Sequence, residues 1–223
     1  MRKRLACLHR IMLCSASRGI FAALILMLEL FQKGGPIMWP LLIVSIVALT
    51  VVFERFIFIA RERLRRQPAL VGDILTQVES GDVDAAARLG ERSRDFVARA
   101  LTYALTHREK SFSEAMLRAA NWELKRFNRG LTILDTTITL APLLGLLGTV
   151  TGMIRSFGML GGAELGAPTA ITGGIAEALI ATAFGLGVAI TALLPFNYLN
   201  ARQEEARLEM QDAASHVEMH LKK

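Results

Sequence analysis

Charged residues are scarce in this chain of 223 residues, and cysteine is scarcer still. Only 21% of the residues are charged, whereas 52% are hydrophobic, and the mean hydropathy is +0.40. A soluble domain of this length is expected to be less apolar, so the balance indicates a membrane protein. The two cysteines, Cys7 and Cys14, lie near the N-terminus and form neither a disulfide framework nor a metal-site pattern.

The motifs of enzymes and of cofactor or nucleotide sites are also missing. His216 and His220 share a helix face, but no third ligand is nearby, so no metal site is predicted. The segment GLLGTVTGM lacks the G-K-[ST] ending of a phosphate-binding loop. Because no nucleophile–base pattern is visible either, we predict that the protein is not an enzyme and needs no cofactor.

Three long apolar segments account for the hydropathy. They cover residues 36–60, 131–160 and 169–199, and each supplies the roughly 20 residues that a helix needs to cross a hydrocarbon core. Strand periodicity is lacking, and residues 61–130 and 200–223 have helical composition. We therefore predict an all-α polytopic membrane protein, whose three long transmembrane helices extend into a cytoplasmic helical bundle.

Local signals place helix boundaries in the charged middle region. Ser80, Gly81 and Asp82 form the pattern of a turn followed by an N-cap. Ser111 and Glu114 have the spacing of a capping box, and we expect the helix that starts there to run unbroken into the second span.

The basic residues orient the chain. The net charge is +6, but in a hydrophobic chain Lys and Arg mark the cytoplasmic side of spans more often than a nucleic-acid site, so no nucleic-acid partner is predicted. Fourteen of them lie between residues 61 and 129, four lie in 200–223, and none lies in 158–168. The middle region and the tail are thus predicted to be cytoplasmic, the 161–168 loop periplasmic, and the N-terminus periplasmic.

The N-terminal segment, residues 1–35, fits this scheme less well. A signal peptide is conceivable, although no clear cleavage site follows the apolar run. A fourth span over residues 11–31 is a second option, and a mature protein that begins at Met27 is a third. We favour the third option.

A single acid, Glu177, stands in the apolar segment GGIAEALIATAFGLG of the third span. It lies eight residues after Thr169, about 12 Å along a helix axis, where an idle carboxylate is costly. Proton binding is the function that we expect of it. Small residues recur every four positions around it, and such stripes let helices approach closely in lipid. The second span repeats the pattern; the predicted packing positions are Gly145, Gly148, Gly152, Gly173, Ala181 and Gly185.

Two hydroxyls accompany the acid. Thr149 and Thr182 lie in otherwise apolar spans, where each can hold a water or pass a hydrogen bond to Glu177. The alternative is that each bonds back to a carbonyl of its own helix. We interpret Arg155 as a structural residue that reaches lipid phosphates or pairs with Glu164.

The two motifs LAPLLGLLGTVTGMIRSF and GGIAEALIATAFGLGVAITALLPFNYLNAR resemble the ExbB/TolQ/MotA proton-channel family. GGPIMWPLL followed by FERF resembles the ExbB branch in particular, and the likeness covers about residues 27–220. It implies an inner-membrane motor in which a homo-pentamer of this chain surrounds ExbD-like single-span subunits and energises a TonB-like transducer. By motif, Glu177 matches the functional glutamate, and Thr149 and Thr182 match the polar residues of the proton path. Arg155 departs from the pattern, since many relatives are neutral or acidic there.

The residues alone leave other functions open. A TolQ-like subunit for envelope integrity and division shares Glu177 and both threonines. A MotA-like flagellar stator would have four spans and would lack the glutamate of GIAEAL. A passive scaffold, in which Glu177 forms only an inter-subunit hydrogen bond, and a secondary transporter are further alternatives, although no paired repeats with broken helices are visible.

Overall fold

The computed structural model describes residues 29, 31–109, 111–160 and 168–221, and these residues contain helices and no strand. The helices are α1 (Met38–Leu64), α2 (Pro68–Glu79), α3 (Val83–Gly90), α4 (Phe96–Thr106), α5 (Phe112–Asn128), α6 (Leu131–Leu160) and α7 (Pro168–Leu221). The predicted all-α fold class is confirmed. Residues 1–28 and 161–167, which carry most of the N-terminal segment and of the predicted loop, lie outside the described residues.

Three of the described helices, α1, α6 and α7, are long and apolar enough to cross a membrane. Their apolar stretches have mean hydropathies of 2.4, 1.7 and 2.1. Only 17%, 28% and 28% of these stretches are buried within the chain. Since apolar surface that the chain leaves uncovered must face lipid or another subunit, the three predicted spans are confirmed as features of a polytopic membrane protein.

The expected continuous helix from Ser111 into the second span is wrong. Helix α5 ends at Asn128, its C-cap Arg129 has an extended ψ of 126°, and Gly130 has a φ of 84°. A glycine in the left-handed region after a helix is a common stop signal. A Cβ at Gly130 would also lie 2.9 Å from Cγ1 of Val51, so the tight contact with α1 favours glycine there.

The first of two compact units contains the chain up to Ile46 together with Thr137–Ile190. Its core is small and consists of buried residues of α1, α6 and α7, namely Met38, Leu41, Ala141, Val188 and Ala189. Two of these five residues are alanines, so the helices approach each other closely. Glu177 belongs to this unit.

The second unit contains Val47–Thr136 and Thr191–Lys223. Helix α4 supplies the largest share of its core: Phe96, Val97, Ala98, Ala100, Leu101, Ala104 and Leu105 are all buried. Met210 and Val217 of α7 complete the same cluster. The predicted caps are present, because Asp82 accepts a hydrogen bond from the Ala85 amide and Ser111 accepts one from the Glu114 amide.

A buried carboxylate, Asp95, ties the start of α4 to the connection between α1 and α2. Its side chain is fully buried and accepts two hydrogen bonds from the guanidinium of Arg66, at 2.9 and 3.1 Å. The amides of Gln67 and Val97 donate at 2.7 and 2.9 Å. Arg66 in turn pairs with Glu209 of α7. Four hydrogen bonds from three donor groups offset the cost of burying this carboxylate.

We expect Asp95→Ala to lower the free energy of unfolding by roughly 3 kcal/mol, because Arg66 and two backbone amides lose their acceptor. The measurement is thermal unfolding of the purified protein in detergent, followed by circular dichroism. Asp84→Ala is the control, since Asp84 is 69% exposed where it pairs with Arg108 and its loss costs little. Equal destabilisation by the two variants would contradict the role assigned to Asp95.

Candidate proton-transfer site

The carboxylate of Glu177 lies on α7 and pairs with a residue of α6. Its Oε1 is 3.3 Å from Nη1 of Arg155, and the Glu177 side chain is 26% exposed. The ion pair compensates the charge of the acid and so reduces the cost of holding it among apolar residues. Arg155 is therefore part of the site, and the sequence analysis, which treated it as structural, missed this. Glu164, the partner that was expected for Arg155, lies outside the described residues.

Gly35 is the second residue that the sequence analysis missed. It has a φ of 71°, and a Cβ on it would lie 1.7 Å from Oε1 of Glu177. A Cβ on the neighbouring Gly34 would lie 3.2 Å from Cγ2 of Ile180, one turn along α7. The turn before α1 thus packs its backbone directly against the carboxylate, which only glycine permits.

Thr182 donates a hydrogen bond to the neighbouring helix rather than to its own. Its Oγ1 lies 2.9 Å from the carbonyl oxygen of Gly145 on α6. The contact is possible because a Cβ on Gly145 would lie only 3.0 Å from Cα of Thr182. A hydroxyl that donates to a carbonyl keeps its lone pairs, so Thr182 can still accept a hydrogen bond from a water or an acid.

Thr149 behaves differently from Thr182. Its hydroxyl donates to the carbonyl of Leu146 on its own helix, at 2.7 Å, and it is at the exposed surface of this chain. This is the alternative that the sequence analysis left open for an intramembrane threonine. Within the described residues, neither hydroxyl bonds to Glu177, whose polar partner is Arg155.

Small residues line the contact between α6 and α7. A Cβ on Gly148 would lie 2.6 Å from Cβ of Ala181, and a Cβ on Gly152 would lie 3.0 Å from Cβ of Ala178. A Cβ on Gly185 would lie 2.5 Å from the carbonyl oxygen of Ala141. These distances leave no room for a larger side chain, so the two backbones touch. Of the predicted packing positions, the structure brings together Gly145, Gly148, Gly152, Ala181 and Gly185.

Gly173 does not take part in this contact. A Cβ on it would meet no atom within 4 Å, whereas one on Gly174 would lie 2.0 Å from Oγ of Ser156. The stripe of four-residue spacing correctly follows α7 from Ala181 to Gly185 but deviates by one residue about two turns earlier. Within the chain Gly174, rather than Gly173, makes this contact, and the packing role of Gly173 stays a prediction.

This arrangement can bind and release a proton. A carboxylate in an apolar span, with one cationic partner and the backbone of Gly35 packed against it, has the elements of a proton-transfer site. Within the described residues no group of three or more His, Cys, Asp and Glu is close enough to hold a metal ion.

Comparison with known proteins gives the site its context. Residues 90–212 match the MotA/TolQ/ExbB proton channel family. The chain is 44% identical over 186 residues to the biopolymer transport protein ExbB-like 1 of Synechocystis sp., which covers 80% of this chain and 72% of that protein. The chain belongs to the MotA/TolQ/ExbB proton channel family.

Further relatives include both an ExbB-like protein and a TolQ protein, the two branches that the residues alone did not separate. The ExbB-like 3 protein of Synechocystis sp. is 35% identical over 196 residues, which is 84% of this chain and 91% of that protein. The Tol-Pal system protein TolQ of Haemophilus influenzae is 40% identical over 93 residues, which is 42% of this chain and 41% of that protein. The resemblance to the family is thus confirmed, and its members are proton-channel and transport subunits.

The close contact between α6 and α7 predicts that two glycines of α7 differ in their tolerance of substitution. We expect Gly185→Ala to cost about 2 kcal/mol of stability, because its Cβ would overlap the backbone of Ala141. Gly187→Ala is the matched control, since a Cβ there meets nothing within 4 Å. Thermal unfolding in detergent measures both; a loss at Gly187 as large as at Gly185 would contradict the proposed contact.

Proposed function

We propose that this chain is an ExbB-like proton-channel subunit of an inner-membrane motor, which uses the proton motive force to energise TonB-dependent outer-membrane transport. The proposal is carried by Glu177, a lone carboxylate in an apolar span of a member of a proton channel family. A carboxyl at this position can take a proton from one side and release it to the other. The ExbB-like relatives, which align over most of this chain, favour the ExbB branch.

Thr182 and Thr149 complete the proposed path beside Glu177. Both hydroxyls donate to backbone carbonyls, so each presents its lone pairs to water or to the protonated acid. Thr182 lies at the α6–α7 contact, and Thr149 lies at the surface of the chain. The second hydroxyl would therefore act in a space that neighbouring subunits enclose.

The assembly around the chain follows from its uncovered surface. At least 72% of each apolar stretch is not buried within the chain, and Gly173 and Gly187 face open space. We propose that a homo-pentamer and an ExbD-like single-span subunit cover part of this surface, and that inner-membrane lipids cover the rest. The distribution of Lys and Arg supports a periplasmic N-terminus and a cytoplasmic C-terminus. A TonB-like protein would receive the energy.

A TolQ-like role in envelope integrity and division is the second candidate, because the TolQ relative shares 40% identity over 93 residues. The reading frames next to the gene separate the two candidates. A short protein with one N-terminal span and an aspartate supports either branch, whereas an adjacent TonB-like gene supports only the first.

Replacement of Glu177 tests the proton path. We expect Glu177→Gln to reduce energised uptake of an iron complex at least about 100-fold, because an amide cannot take up and release the proton. Cells that lack their own ExbB-type subunit and carry this chain with its partner provide the assay. Co-purification of the partner should be unchanged. Full uptake by this variant would favour the passive scaffold.

Asp212→Asn is the control for that experiment. It removes the same charge from an exposed position on the same helix, so uptake should be retained. Loss of uptake in both variants would indicate a general effect of charge on α7.

Replacement of Thr182 tests whether the hydroxyl at the helix contact serves the path. Thr182→Val keeps the volume but removes the hydroxyl, and we expect proton flux to fall roughly tenfold. The control is Thr151→Val, which removes a hydroxyl from an exposed position of α6 that the proposed path does not include. Flux through reconstituted vesicles is the measurement, and equal flux in the two variants would exclude Thr182 from the path.

A further inference from the structure

An arginine-lined cavity lies in the second unit. It has a volume of about 480 Å³ and is formed by the last part of α1 and the end of α5. Five arginines line it: Arg55, Arg61, Arg65, Arg126 and Arg129. Glu54 and Glu62 are its two carboxylates. The cavity therefore has an excess of three positive charges, which an anion would neutralise.

Within the part of the chain that the structure describes, three of the five arginines have no ion-pair partner. Arg126 pairs with Glu123 at 2.6 Å and lies 3.8 Å from Glu62. Arg61, Arg65 and Arg129 are exposed, and within the described part of the chain none of them forms an ion pair. Three guanidinium groups are thus free to bind an external ligand. Guanidinium groups suit phosphate, because their N–H groups bind two oxygens at once.

Arg55 is the second observation that indicates a ligand. Its side chain is only 4% exposed, and its Nη1 and Nη2 donate to the carbonyl of Arg126 at 3.0 Å and to Glu54 at 2.7 Å. Its Nε is buried without a hydrogen-bond partner. The buried Oε1 of Glu62 likewise lacks one. Unpaired buried polar atoms are costly. A ligand that both accepts and donates hydrogen bonds could pair the Nε of Arg55 and the Oε1 of Glu62.

The cavity lies at the point on α1 where apolar residues give way to arginines. Phe53, Phe56 and Ile57 are large, exposed and apolar, and Ile57 itself lines the cavity. Arg61, Arg63 and Arg65 follow within two turns. In a membrane-spanning helix this change marks the level of the lipid headgroups. A ligand there would have an apolar part beside Ile57 and an anionic part beside the arginines.

We propose that this cavity binds the headgroup of an anionic phospholipid of the glycerol-phosphate class. The phosphate would accept hydrogen bonds from Arg61, Arg65 and Arg129, and a headgroup hydroxyl would donate to Glu62. The acyl chains would lie along the exposed apolar face of α1. The lipid would thus hold the end of the first span at a defined depth, independently of the proton path.

Lipid binding by the purified full-length protein tests the proposal. In detergent at physiological ionic strength, we expect phosphatidylglycerol to bind at least about tenfold more tightly than phosphatidylcholine, as measured by native mass spectrometry. Arg61→Gln/Arg65→Gln/Arg129→Gln should lose at least about tenfold of the phosphatidylglycerol affinity. These side chains are exposed, so the variant should fold, and circular dichroism checks this.

The control variant removes three arginines elsewhere. Arg88→Gln/Arg92→Gln/Arg94→Gln changes exposed residues outside the cavity by the same total charge, and its affinity should stay within about twofold because exposed charges are screened. Equal losses in both variants would overturn the proposal in favour of non-specific attraction. Equal binding of phosphatidylcholine would indicate a site for acyl chains only. Inorganic phosphate that binds as tightly as the lipid would indicate a free-anion site.

Discussion

The close backbone contact between α6 and α7 is the constraint on which the candidate site depends. It exists because glycine or alanine stands at each point where the two helices meet, from Gly152 against Ala178 to Gly185 against Ala141. Only at this separation can the Thr182 hydroxyl reach the carbonyl of Gly145. The same contact brings Arg155 of one helix to Glu177 of the other. The small residues therefore act through the polar groups that they bring together.

Charge compensation is the common solution for buried charges in both units. Glu177 is paired with Arg155, and fully buried Asp95 is paired with Arg66 and two backbone amides. The two carboxylates differ in the number of their partners. Asp95 has three donor groups that hold it firmly, as suits a structural residue. Glu177 has one, from a side chain that is more than half exposed, so it is held less firmly than Asp95.

The helices that have a local signal in the sequence were predictable. Apolar runs of sufficient length identified three spans, and the side chains of Asp82 and Ser111 identified two helix starts, because these properties depend on neighbouring residues in the chain. The break after α5 was missed. Gly130 was readable as a stop signal, but the capping pattern at Ser111 and the apolar run after it favoured one long helix. Its contact with Val51, 79 residues earlier, has no local signature.

The sequence by itself determined the membrane class, the helical architecture, the family and the position of the lone acid, since each follows from composition or from a continuous motif. Only the tertiary structure decided that Arg155 is the partner of Glu177, that Gly35 packs on it, and that Gly174 rather than Gly173 meets α6. Spacing along a helix shows which residues share a face. It does not show how far that face is turned towards its neighbour, because the rotation and crossing of two helices depend on every side chain between them.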